Sequence, residues 1–189
     1  MIFTIGHSTR SFDELLGLLR EYEVQHLVDV RTVPRSRRNP QFNQETLAEE
    51  LPRQGIGYTH LPELGGLRKP RSDSINTGWR NDSFRGYADY MGTPEFDAGL
   101  EKLVRLTEEA AVVIMCAEAV PWRCHRSLIG DALLVRGNEV VDIIGPGKSQ
   151  PHRLTPFAQI DGTRIVYPEF DKGQEVHQEK TGKDAGEAG

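Results

Sequence analysis

Apolar positions fall into short runs and helical stripes that alternate along the chain. Ile2–Gly6 is a short apolar strand. Ser11 then opens a helix: Glu14, three residues on, completes a capping-box pattern, and Leu15, Leu16, Leu18 and Leu19 supply the buried stripe. The next strand, His26–Val30, runs directly into RTVPRSRRNP, which cannot be helical. A helix resumes near Asn43 with Leu47 and Leu51 inward, and Gly55-Ile56-Gly57 leads into a third strand, Tyr58–Leu61.

From Pro62 to about Asn81 the pattern lapses into a stretch rich in Gly, Pro, Arg and Ser, and loops of that length tend to be functional. Helical patterns return over Phe84–Met91 and from Thr93, where Pro94 takes the first helical position. Ala111–Met115 is the most apolar strand, Arg123 to Val135 a helix stopped by Gly137, and Glu139–Ile144 a fifth strand. Phe157–Tyr167 predicts a hairpin turning at Asp161-Gly162. Strands alternating with helices imply an α/β fold: one three-layer domain over 1–170 with a mostly parallel, Rossmann-like sheet, plus a C-terminal hairpin. Residues 171–189, DKGQEVHQEKTGKDAGEAG, offer one Val and two Ala for burial and predict a disordered tail.

Ligands of such sheets bind beyond the carboxyl ends of the strands. The notable polar residues fall there: His7, Ser8 and Arg10 after the first strand, Arg31 after the second, Glu63 after the third, Cys116 and Glu118 after the fourth.

Composition narrows the setting. The 189 residues carry a net charge of −5, which disfavours a dedicated nucleic-acid binder. No window approaches the apolar length of a membrane span, and the opening MIFTIGHSTR lacks the features of a secretory leader. With only two cysteines, the expectation is a cytoplasmic protein with reduced thiols.

Those thiols are the first candidate chemistry. Cys116 ends an apolar strand, whereas Cys124 is read as lying in the first turn of a helix, where the dipole and Arg or His neighbours favour a thiolate. Cys124 is thus the expected nucleophile, with His7 or Glu118 for proton transfer, and Cys116 the expected buried residue; both could equally be small core residues. Helical neighbours point about 100° apart, so Cys124 and His125 are not expected to pair. Six residues separate Cys116 from Arg123, one more than in a cysteine phosphatase loop; Pro121 removes a donor and glycine is lacking. Oxyanion binding at the helix terminus by Arg123 and Arg126 stays open. So does a transition-metal ion on Cys116, Cys124 and His125, although the spacing matches no familiar zinc signature.

Arginines form the second constellation. Arg31, Arg35, Arg37 and Arg38 share one loop and Arg68, Lys69 and Arg71 another, suited to phosphate or carboxylate recognition with Arg10, Ser8 and Glu63. Trp79, Phe84, Tyr87 and Trp122 could stack on a ring or pack in the core. A Ser8-His7-Asp29 triad is disfavoured by strand geometry; Asp29, a charge in an apolar strand, is expected to pair with an arginine.

The segments TIGHSTR (4–10), LVDVR (27–31), PRSRRNPQFN (34–43), YTHLPELGG (58–66), WRNDSFRGYADYM (79–91), TPEF (93–96) and MCAEAVPWRCHRSLIGDAL (115–133) resemble the bacterial family called domain of unknown function 488. The resemblance runs from residue 2 to about 145 and implies an α/β fold with a thiol- and arginine-bearing motif, no agreed activity, and a DNA-repair designation for some members. Three functions remain: an enzyme on a phosphorylated or otherwise anionic, nucleotide-like substrate; a nucleic-acid-associated module of DNA-repair type; and a metal- or redox-responsive protein. The residues specify neither oligomeric state nor substrate.

Overall fold

In the computed structural model, which describes residues 1–169, the elements follow the chain as β1 (Ile2–Gly6), α1 (Phe12–Glu21), β2 (His26–Asp29), α2 (Gln44–Arg53) and β3 (Gly57–His60), then α3 (Asp82–Tyr90), α4 (Pro94–Glu109), β4 (Val112–Cys116), α5 (Arg126–Val135), β5 (Val140–Gly145) and β6 (Lys148–Pro151), and finally β7 (Gln159–Asp161) and β8 (Arg164–Val166). The tail expected over 171–189 lies outside the described residues. Strand order is β3-β2-β4-β1-β5-β6, parallel throughout except for β6, which returns antiparallel along β5; β7 and β8 form a separate hairpin.

Alternation along β4 divides the core. Val112, Ile114 and Cys116 face a layer containing Phe96, Leu100 and Leu103 of α4 and Leu128 and Ile129 of α5. Val113 and Met115 face the leucines of α1 with Leu47 and Leu51 of α2. Both faces of the sheet are therefore covered, and its strands read as apolar runs. The capping box at α1 forms as expected: Ser11 Oγ accepts from the Glu14 amide and the Glu14 carboxylate accepts from the Ser11 amide. Thr93 caps α4 through its hydroxyl.

Two expectations need correction. The helix predicted from Arg123 begins at Arg126 instead: Pro121 sets a 3-10 turn over Pro121–Arg123, and Cys124 follows with extended backbone at φ −137° and ψ 143°. Cys124 therefore precedes the helix. Strand β6 was not expected, because KSQP is exposed and polar. Gly147, at φ +62°, makes the tight return that lays it on β5.

Candidate functional site

The parallel strands β1, β2 and β4 deliver His7, Arg31 and Cys116 to one end of the sheet. The His7 and Ser8 amides donate to the carbonyls of Cys116 and Ala117, tying the first two loops together. Gly6 lets the strands approach this closely, since a Cβ there would lie 1.7 Å from the Glu118 carbonyl oxygen. Ser8 takes the left-handed backbone conformation, at φ +52°.

Asp29 is fully buried and pairs with Arg31, itself 6% exposed. Arg31 Nε and Nη2 donate to the two carboxylate oxygens at 2.8 and 2.5 Å, Nη2 also to the Phe42 carbonyl at 2.7 Å, and Nη1 to His7 Nε2 at 3.2 Å. Tyr58 adds a hydroxyl donor to Asp29 at 3.0 Å, and His60 Nε2 donates to the Arg31 carbonyl at 2.8 Å. His7 Nδ1–H donates to the Ser8 carbonyl at 2.8 Å. Burial lowers the His7 pKa, the Ser8 hydrogen bond opposes this, and the Arg31 charge lowers it again. Every Arg31 nitrogen thus has a protein partner. The expectation of a substrate arginine here meets a side chain already committed, and the Ser8–His7–Asp29 triad is replaced by an Asp29–Arg31–His7 chain.

Cys116, Cys124 and His125 form the second group. Extended backbone at Cys124 swings its side chain back towards the end of β4. One ligand atom from each of the three residues, the two sulfurs and a ring nitrogen, lies within 4.8 Å of the others. His125 Nδ1 is 3.7 Å from Cys124 Sγ and 3.9 Å from Cys116 Sγ. The pairing of Cys124 with His125, not expected for helical neighbours, follows from the late start of α5. Nε2–H of His125 donates to the Val30 carbonyl at 3.0 Å, which turns Nδ1 towards both sulfurs. The Tyr87 ring packs 4.9 Å from the imidazole, and Gly66 covers it, since a Cβ there would sit 2.9 Å from Nδ1. The hydrogen bond from the Cys124 thiol, opposed by burial and aided by His125 and Arg126, holds the Cys116 thiol well below its ordinary range; Cys124 is pushed up in turn. In the absence of an ion, Cys116 rather than Cys124 has the thiolate character.

Arg126 opens α5 and is completely buried. Nη1 donates to the Glu118 carbonyl at 2.5 Å and Nη2 to the Ala119 carbonyl at 3.0 Å, while Nε has no partner among the described residues. Arg10 likewise holds only the Gly6 and Ile144 carbonyls through its guanidinium, the latter at 3.1 Å.

The other expected site residues stand apart from this core. The Glu118 and Arg123 side chains are exposed on the loop after β4, and Arg37 is exposed on the loop after β2. Glu63 is ion-paired with Lys102 of α4. Arg35 pairs with Glu45, Arg71 with Asp73, and Arg68 stacks over the Tyr90 ring at 3.6 Å. Trp79 stacks on Phe84, whereas Trp122 is 61% exposed and, with Trp79, Phe157 and His152, borders a cavity of about 300 Å³.

A further buried network escaped the sequence reading. His152 lies between Asp142 of β5 at 2.9 Å and Asp131 of α5 at 3.2 Å. Thr4 and Tyr167 donate to the same carboxylates at 2.7 and 2.9 Å, and the Thr155 amide reaches Asp131 at 3.1 Å. Asp142 interrupts an apolar strand as Asp29 does, which is the signal that could have exposed it.

A family model described as domain of unknown function DUF488 matches residues 11–133, a span containing Arg31, Cys116, Cys124, His125 and Arg126. No curated protein and no solved structure matches the chain.

Proposed function

This chain belongs to the family of domain of unknown function DUF488, a membership that assigns no activity, and from the chemistry of its strand-end site we propose that it works through a transition-metal ion of the zinc class held by Cys116, Cys124 and His125. One observation carries the reading: two sulfurs and an imidazole nitrogen converge from residues on two sides of a loop. Tetrahedral zinc with ordinary Zn–S and Zn–N bonds keeps its ligand atoms roughly 3.5 to 3.8 Å apart. The 3.7 and 3.9 Å separations of His125 Nδ1 from the sulfurs need only slight contraction to meet that geometry. The Val30 carbonyl on Nε2–H is the kind of outer partner that orients a metal-binding histidine. The three ligands found among the described residues leave a fourth position open, as in catalytic rather than structural zinc sites.

Elemental analysis of protein purified without a histidine tag tests this directly. Near-stoichiometric zinc, iron or a neighbouring metal is expected, and Cys116→Ser and His125→Ala should lose it while retaining their circular dichroism. Metal-free preparations that also fail to take up zinc or cobalt would exclude the reading.

A second reading, a thiol enzyme acting on a phosphorylated or otherwise anionic substrate, is favoured by the depressed Cys116 thiol near the buried Arg126 charge. Cys116 would then be the nucleophile in place of Cys124. Alkylation separates the two: metal-free wild type with a rapidly alkylated Cys116 at neutral pH supports the thiol enzyme, and protection by stoichiometric zinc supports the metal centre.

A further inference from the structure

Arg126 presents a charge without a counterion. It is the largest completely buried side chain among the described residues, and both of its terminal nitrogens hold neutral backbone carbonyls. Its Nε is unpartnered, and it forms no ion pair among the described residues. The nearby acids are occupied or outside: Asp131, on the same helix, is taken up by His152, Tyr167 and Thr155, and Glu118 is exposed. Arg10 is a second cation close enough to repel Arg126, but it is only partly buried and the Glu14 carboxylate offsets its charge, so it is not counted with Arg126. The Arg126 charge acts on both thiols, and its backbone N–H is directed at the Cys124 sulfur.

Charge counting at the metal centre then constrains what completes it. A divalent ion with two thiolates and one neutral imidazole carries no net charge. Arg126 leaves one uncompensated positive charge in the interior, and buried unpaired charge is strongly unfavourable. A neutral water at the fourth position would leave that charge standing, whereas a monoanion removes it. We infer that the open position of the Cys116–Cys124–His125 centre takes a monoanionic ligand, such as a hydroxide or a carboxylate-type oxyanion, and that Arg126 is the residue selecting for its charge. This rests on the metal reading above. It gives a reason for a fully buried guanidinium beside the ligands: the protein carries half of the ion pair, and the ligand brings the other half.

Azide, a monoanion that binds cobalt terminally, is the probe. Cobalt-loaded wild type should show thiolate-to-metal charge-transfer bands, and its d–d spectrum should change saturably with azide. Arg126→Met keeps the side-chain length without the charge. It should retain the charge-transfer bands but bind azide at least about tenfold more weakly, the scale of one charge-assisted contact. Arg126→Lys should stay within a few-fold of wild type, and serves also if the methionine variant fails to fold. Equal azide affinity in wild type and the methionine variant overturns the selection by Arg126, as does a lysine variant as weak as the methionine one. Intact charge-transfer bands with no azide response overturn the open position while leaving the metal reading in place. Absence of those bands in wild type removes the metal reading and this inference together.

Discussion

Raising the pH from 6 to 9.5 should destabilise this protein through a single buried imidazole. His152 sits between Asp131 and Asp142 with its side chain 5% exposed. Burial by itself would lower its pKa; the hydrogen bonds to both carboxylates, and their charges, outweigh that and raise it from 6.5 to about 9. The folded state therefore holds this proton more tightly than the unfolded chain. The stabilisation is complete below pH 6.5, falls by ~1.4 kcal/mol per pH unit above it, and is gone once pH passes the folded value of about 9. The whole effect is roughly 3 kcal/mol, a large share of the 5–15 kcal/mol typical of a domain. Urea unfolding followed by far-UV circular dichroism at half-unit pH steps measures it. Folding also shifts the Cys116 thiol down and the Cys124 thiol up, so the quantity to read is the difference between wild type and His152→Gln. That difference should shrink by roughly 3 kcal/mol between pH 6 and 9.5. A difference that stays constant across the window would refute the assignment of a buried imidazolium here.

Further perturbations follow from the same structure. Arg31→Met strands the buried Asp29 carboxylate and should cost about 3–5 kcal/mol by urea unfolding, most of it recovered in the double variant with Asp29→Asn; a single variant near wild type contradicts the pairing. Gly6→Ala forces the loop after β4 away from β1 and should cost about 1–3 kcal/mol or more and weaken zinc uptake, whereas Gly17→Ala, with nothing within 4 Å of the added Cβ, should gain about 0.5–1 kcal/mol. Arg37 and Arg38 are exposed, and their double alanine variant should unfold within about 0.5 kcal/mol of wild type. If a nucleic acid is the partner, that variant loses affinity for single-stranded DNA and reduces the salt slope by about two, while a wild type that does not bind at low salt removes that partner.

Features governed by neighbours in sequence were readable from sequence. The Ser11–Glu14 capping box, the Thr93-Pro94 helix start and the leucine stripe of α1 depend on contacts within one turn. Asp29 announced a partner because a charge in an apolar strand must have one, and Arg31 two residues on was within reach. The same signal stood at Asp142, but its partners His152 and Thr4, and Asp131 on the far side of His152, come from three other segments and no local pattern joins them. Strand β6 carries no hydrophobic period because both of its faces are exposed, so only the edge of β5 makes it a strand. The site geometry was misread at one point with wide effect. Continuing α5 back to Arg123 splayed Cys124 from His125, whereas the Pro121 turn leaves Cys124 extended and lets both meet Cys116.

That one-turn difference also reorders the arginines gathered at the strand ends. Arg31 has its own carboxylate and holds His7 in place, which makes it part of the frame. Arg10 fastens the ends of β1 and β5 through their carbonyls. Among the described residues, Arg126 alone of these arginines is fully buried, without a carboxylate and with a free N–H, and it directly follows two residues of the Cys–Cys–His group. A guanidinium kept in that state through folding costs stability unless something negative joins it. If an anion supplies the compensation, metal-loaded protein should gain thermal stability on adding azide and Arg126→Met should not. If the Cys116 thiolate supplies it, the methionine variant should instead lose the rapid alkylation of metal-free Cys116 and be indifferent to azide throughout.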